Sequence, residues 1–215
     1  MPCLVAMRRT ALALLVLAAV VGVAACGGSG SSTDPQTSTS TSAAFAGLTA
    51  NPAKPAPPLK LDNYLGQPVD IADYHGKAVL VLFIYDHCPD TCPLMVSNLH
   101  AAQNEMSASE RNQMQIIAVS VDPEGDTPQT VKHFLAEHQM TGRMQYLIGS
   151  RQQLENVWAK WGVTAKSNPS RKNPDAVEHS AAVYGISGSG KITTLYPSNF
   201  KPQQIVNDVP KLAAS

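Results

Sequence analysis

The sequence is short of charge. Asp, Glu, Lys and Arg supply 15% of its 215 residues, against about 25% in an ordinary soluble protein. Sixteen basic residues are matched by sixteen acidic ones. A chain with no basic excess lacks the electrostatic footprint of a nucleic-acid binder, which argues against that class. Aromatic residues are scarce as well, at 6%. There are four cysteines, and two of them lie at or before Cys26, so a structural tetrahedral zinc site would need ligands from elsewhere. The apolar stretch from Thr10 to Ala25 falls short of the roughly 20 residues a membrane-spanning helix needs. No internal repeat is present.

What the N-terminus does contain reads as an address. Arg8 and Arg9 precede the apolar stretch, and small residues close it, which is the pattern of a secretory signal. Val23-Ala24-Ala25-Cys26 resembles a bacterial lipobox, in which the cysteine becomes the acylated first residue of the mature protein. Residues 1–25 are therefore read as a lipoprotein signal peptide and Cys26 as the lipidation site, carrying a fatty acid such as palmitate. The expected location is the extracytoplasmic face of the cell membrane, held there by the lipid. From Cys26 to Pro58 the chain is mostly Gly, Ser, Thr, Ala and Pro, with Asp34 and Lys54 as its only charges. No period of two or 3.6 runs through it, so residues 26–58 are expected to be a disordered tether.

Residues 59–215 then read as one domain of alternating strands and helices. Ala78 to Tyr85 is a continuous apolar, β-rich run, suited to a strand buried on both faces. Pro93 suits the first turn of a helix that turns Met95, Leu99, Ala102 and Met106 inward. Ile116 to Val121 reads as a second buried strand. Thr127-Pro128 starts a helix with Val131, Phe134, Leu135 and His138 on its apolar face. Ser150 and Gln153 form a capping box ahead of Leu154, Val157, Trp158 and Trp161. Short strands are expected at Val69–Ile71 and Tyr146–Ile148, a hairpin at Ala181–Ile186 and Lys191–Tyr196, and a last helix at Pro202–Val209 that Pro210 disturbs. This order predicts an α/β fold with a mixed central sheet flanked by helices, compatible with a thioredoxin-like fold among others.

Gly185 to Lys191 comes close to a phosphate-binding loop but has Ile192 where Ser or Thr should hold magnesium, and strand formers follow instead of a helix. It reads as the turn of the hairpin. The informative residues are Cys88 and Cys92, in Asp86-His87-Cys88-Pro89-Asp90-Thr91-Cys92-Pro93 between a buried strand and a helix start. Unpaired N–H groups and the macrodipole at a helix N-terminus favour thiolate, so both sulfurs are expected to be acidic. A static disulfide closing so short a loop would restrain little of the unfolded chain. Soft thiolates select Cu(I), and one added imidazole also permits Cu(II). Of the six histidines, His138 lies on an apolar helix face, His100 and His133 on helix surfaces, and His87 points away from Cys88. His179 follows a polar, aperiodic segment from Gly162 to Glu178 that could carry a ligand across the surface.

Phe83 to Pro93 resembles the signature of the Sco/SenC family of copper chaperones. Val119-Ser-Val-Asp-Pro-Glu-Gly-Asp-Thr-Pro128 and Glu178-His-Ser-Ala-Ala-Val-Tyr184 are similar to its second and third blocks, in the family's order. The resemblance implies a thioredoxin-like fold and copper, as Cu(I) and Cu(II), held by Cys88, Cys92 and His179. It also implies a role at the binuclear copper site of cytochrome c oxidase subunit II. Two acidic thiols in an oxidising compartment are expected to form a reversible Cys88–Cys92 disulfide, which calls for a thiol reductant partner. Two residues depart from the pattern: Asp86 stands where a Thr or similar small residue is usual, and Glu178 replaces the common Asp.

Enzymatic readings compete with the chaperone. A thiol peroxidase needs Thr or Ser three positions before its reactive cysteine, where this chain has Tyr85 or Pro89, so that class is set aside. A thiol-disulfide oxidoreductase acting on the oxidase copper-site cysteines would use the same Cys88 and Cys92. It has no need of His179, whereas a copper site does.

Overall fold

The computed structural model describes residues 44–167, 177–179 and 181–215. The signal peptide, Cys26 and residues 168–176 lie outside the described residues. Strands β1 (Leu48–Pro55), β2 (Lys60–Asn63) and β3 (Pro68–Asp70) come first, followed by a 3-10 turn over Ile71–Tyr74. Then come β4 (Ala78–Ile84), α1 (Thr91–Glu105), α2 (Ala108–Asn112), β5 (Met114–Ser120), α3 (Pro128–Glu137), β6 (Gln145–Ile148) and α4 (Arg151–Trp161). Strands β7 (Ala165–Ser167), β8 (Val177–His179), β9 (Ala182–Ile186) and β10 (Lys191–Pro197) and helix α5 (Pro202–Ala213) complete the chain.

Eight strands form one sheet in the order β1-β10-β9-β4-β5-β6-β2-β3, and β7 pairs with β8 separately. Strands β4, β5 and β6 run parallel, while β9 runs antiparallel beside β4. A strand in the middle of such a sheet is covered on both faces, which is why β4 is an unbroken apolar run. None of its seven residues is more than 2% exposed. Neighbours on β9 show the two covering layers. Gly185 faces Leu212 of α5, and Tyr184 packs its ring 5.4 Å from that of Trp161 on α4. On the α4 side, Trp158 Nε1 also donates to the carbonyl of Ser120 at 2.9 Å.

The capping box at Ser150 and Gln153 is present, and Gly162 ends α4 in the left-handed region at φ 67°. A glycine adopts that conformation without the steric penalty of a Cβ. The β9–β10 hairpin turns at Ser187–Gly190, with Ser187 N–H donating to Lys191 O at 2.8 Å. No helix follows it, in keeping with a turn.

Two sequence expectations need correction. The tether does not extend to Pro58, because β1 pairs with β10 over Leu48–Pro55. This strand has almost no buried side chains, so no hydrophobic period announces it. Its entry is held by polar contacts instead: Asp208 on α5 accepts from the backbone N–H groups of Ala46 and Gly47 at 2.8–2.9 Å. Helix α5 does not stop before Pro210 but runs through it to Ala213. Proline inside a helix costs about 3 kcal/mol, whereas burying Val209 and Leu212 returns about 1.5–3 kcal/mol each. Helix α1 begins at Thr91, where the Asp90 side chain accepts the Thr91 N–H, so Pro93 lies in its first turn as expected. Strand β2 and helix α2 carry too few apolar residues to be read from the pattern.

Candidate metal and thiol site

Cys88 and Cys92 sit at the carboxyl end of β4, where the strand hands over to α1. Both are thiols. Cys88 lies ahead of the helix and is 8% exposed, while Cys92 lies in its first turn and is fully buried. The backbone N–H of Cys92 donates to Cys88 Sγ at 3.3 Å. That geometry decides which sulfur gains from the helix N-terminus. The Cys88 thiol is lowered to about 6, chiefly by a hydrogen bond with the Cys92 side chain. Further hydrogen bonds with the Cys92 and Asp90 backbones and the Tyr85 side chain act in the same direction, against desolvation.

Cys92 goes the other way. Its proton is held by the hydrogen bond to Cys88 and by burial, which push it well above the ordinary thiol value. The expectation of two acidic sulfurs is therefore corrected to one. A pair this close cannot carry two negative charges cheaply, and the helix N–H groups reach the sulfur in front of the helix, not the one inside it.

Asp126 is a residue of this site that sequence reasoning missed. It follows β5, is 4% exposed, and accepts the Asp86 N–H through Oδ1 at 2.9 Å. Its Oδ2 accepts the Tyr146 hydroxyl at 2.9 Å. The loop after β5 thus braces the loop that carries the cysteines. Burial is the largest influence on this carboxyl and raises it to about 8, so it is mostly protonated at neutral pH. Nothing in the spacing around Asp126 distinguishes it from its neighbours Asp122 and Glu124.

Asp86, one of the two departures, keeps its carboxylate buried at 3% exposure beside Nδ1 of His87. Its buried oxygens have no hydrogen-bond partner. His87 itself is more than half exposed. The bland readings of three other histidines hold: His133 pairs with Glu137 at 3.1 Å, His100 contacts Asn104 at 3.2 Å, and the His138 ring lies 4.5 Å from that of Phe134.

His179 ends β8, opposite Ala165 of β7. Its imidazole lies outside what the structure describes. The backbone route is nonetheless informative, because β9 begins at Ala182 and runs antiparallel to β4, with Val183 opposite Leu82. The chain leaving His179 therefore enters the sheet at the same end from which Cys88 emerges. Among the described residues no three His, Cys, Asp or Glu side chains are placed to hold a metal ion. The two sulfurs, one of them thiolate at neutral pH, are a soft donor pair that fits Cu(I). Among the described residues no helix is long and apolar enough to cross a membrane.

A two-cysteine motif at a strand-to-helix junction, on a mixed sheet covered by helices on both faces, defines a thioredoxin-like protein. The chain belongs to the SCO1/SenC family, whose model matches residues 49–214. It is 29% identical over 149 residues to a mouse SCO2 homolog described as mitochondrial, covering 68% of this chain and 58% of that one. The chain thus spans little more than half the length of that relative. Among solved structures it resembles the apo Sco1 protein of Thermus thermophilus, with TM-score 0.68 and 26% identity over 79% of this chain and 97% of that one. It also resembles Bradyrhizobium japonicum ScoI with copper bound, with TM-score 0.62 and 26% identity over 74% of this chain and 99% of that one.

Proposed function

We propose that this protein binds copper through Cys88, Cys92 and His179 and serves as a chaperone for the binuclear copper site of cytochrome c oxidase subunit II. In this reading it works from the extracytoplasmic face of the membrane, anchored by lipid on Cys26. The observation that carries the proposal is the pair of free cysteines, with the Cys92 N–H directed at Cys88 Sγ, at the end of the sheet where the strand after His179 begins. Family membership and the copper-bound relative from Bradyrhizobium support it. Two sulfurs suffice for Cu(I), and the imidazole of His179 adds the harder donor that Cu(II) prefers. Copper is cargo here: a donor set of only three ligands can bind it and release it to a better-matched site.

The asymmetry of the two thiols favours a second activity at the same site. A Cys88 thiolate can attack a disulfide on the oxidase segment, forming a mixed disulfide and releasing one partner thiolate. Cys92 then loses its proton and attacks Cys88 Sγ. The second partner thiol leaves, and a Cys88–Cys92 disulfide remains. Two electrons pass to the partner, and an external thiol reductant must restore the pair.

Metal analysis tests the main reading. The reduced full chain should hold stoichiometric copper, and the chain with Cys88 joined to Cys92 should hold none, since a disulfide has no thiolate to donate. Equal copper binding by both forms would remove the cysteines from the site.

A further inference from the structure

A cleft of about 670 Å3 opens at the other end of the sheet from the cysteines. It lies between the β2–β3 turn, the last turn of α1, helix α2 and the entries of β5 and β6. Lys77, Arg111 and Arg143 line it, and no Asp or Glu does. For a chain with equal numbers of acids and bases, an all-cationic lining is a local choice. Among the described residues none of the three cations is in an ion pair. Arg111 donates through Nη1 to the carbonyls of Gln103 and Met106, and Arg143 donates through Nη1 to Asn104 Oδ1 at 2.8 Å. Each guanidinium has five N–H donors, so several remain for a ligand.

The rest of the wall is rich in amides, with seven Asn and Gln residues among fifteen. One of them is conspicuously incomplete. Gln103 is 6% exposed, and its Nε2 donates to Arg143 O at 3.3 Å, but its buried Oε1 has no hydrogen-bond partner. A buried acceptor left bare is costly, and an incoming N–H removes that cost.

We propose that this cleft binds an acidic peptide segment of a partner protein. Its carboxylates would meet Lys77, Arg111 and Arg143, and its backbone N–H and C=O groups would meet the side-chain amides, with one N–H directed to Gln103 Oε1. A peptide supplies negative charge and an array of amide groups together. A small inorganic anion supplies the charge alone. Single-stranded nucleic acid would need stacking surfaces, and Tyr64 is the only aromatic residue in the lining. Lys77 precedes β4 and Cys88 follows it. The seven residues of that strand separate the two sites by about 23 Å, so a partner held in the cleft leaves the cysteines uncovered.

The test is fluorescence anisotropy with the reduced full chain and three probes: a blocked, labelled peptide of alternating Glu and Gly, its Gln-for-Glu counterpart, and inorganic phosphate as competitor. The Glu peptide should bind, weaken about tenfold between low and physiological salt, and outbind the Gln peptide by at least about tenfold. A Lys77→Gln, Arg143→Gln double variant should bind it about tenfold more weakly, while Cys88→Ser should leave binding unchanged. Equal binding of Glu and Gln peptides by the unaltered chain would overturn the proposal without relying on any variant. Phosphate binding with no peptide binding would overturn it in favour of a simple anion site.

Discussion

The thiol of Cys92 keeps the proton of a hydrogen bond shared with Cys88, and the backbone N–H of Cys92, 3.3 Å from Cys88 Sγ, adds to the difference between the two sulfurs. Cys88 becomes the anion and Cys92 keeps the proton. For copper, the pair offers a ready thiolate and a second that is formed when the metal displaces its proton. For disulfide exchange, it offers a nucleophile and a resolving thiol held in reserve.

The first prediction follows from that asymmetry. Alkylation of the reduced, metal-free chain by iodoacetamide should modify Cys88 first, with a rate that rises through an apparent pKa of about 6. Peptide mapping by mass spectrometry should find Cys92 unmodified until Cys88 has reacted. Because the pair titrates as a unit, the profile belongs to both sulfurs, and Cys88→Ser should abolish the low-pH phase. Equal labelling of both cysteines, with an ordinary thiol profile, would contradict the assignment.

The second prediction concerns Asp126, whose carboxyl is raised to about 8 mainly by burial. The folded state then holds a proton that the unfolded chain releases near pH 4, so this group weakens the fold as pH rises from about 4 to about 8. The slope for one proton is at most about 1.4 kcal/mol per pH step. Asp126→Asn keeps an acceptor for the Asp86 N–H and carries no charge. Urea unfolding of both proteins from pH 4.5 to 8.5 should show the variant gaining on the parent as pH rises. The Cys88 contribution, present in both, cancels in the difference. Parallel stability curves would show that Asp126 is ionised in the fold.

Much of the centre of this molecule was legible in the sequence, and its margins were not. Strand β4 announces itself because a strand buried on both faces must be apolar throughout, and the cysteines are legible because their spacing is tied to a helix start. Strand β1 is the counterexample. It contributes no core residue, and what positions it is Asp208, some 160 positions along the chain, so no local pattern contains the information. Pro210 misleads for a related reason: the local cost of proline is real, but the tertiary burial of Val209 and Leu212 outweighs it. The acidity of Cys88 and the opposite behaviour of Cys92 depend on which sulfur donates in their mutual hydrogen bond, on how deeply each is buried and on which one the helix N–H groups reach, a matter of ångströms that spacing alone does not encode.

The third prediction tests the polar clasp at that margin. Asp208 is fully buried and accepts from the backbone of Ala46 and Gly47 and from the Tyr196 hydroxyl at 2.9 Å. Its replacement by Ala would leave the buried Tyr196 hydroxyl without that acceptor. The expected loss is roughly 2–4 kcal/mol from the bare hydroxyl and the lost charged hydrogen bonds. Hydrogen exchange should accelerate over residues 48–55 more than over β4 and β5. A uniform change across the sheet would mean that Asp208 supports the core in general and not the attachment of β1.

The last prediction separates copper delivery from thiol exchange. Strand β9, which follows His179, begins at the cysteine end of the sheet, and in the proposed site His179 is the harder donor. Removing an outer-shell partner of a metal ligand typically costs 10- to 100-fold in affinity, so loss of a direct ligand should cost about 100-fold or more. His179→Ala should therefore lose most Cu(II) affinity and its sulfur-to-copper charge-transfer absorption. Cu(I), satisfied largely by the two sulfurs, should bind more weakly but measurably. Thiol–disulfide exchange with a small disulfide should proceed at nearly the parental rate, because it uses only Cys88 and Cys92. In cells, oxidase copper loading that falls with His179→Ala marks the protein as a copper donor. Full loading with that variant, together with failure of Cys88→Ser, would instead assign the essential service to electron delivery.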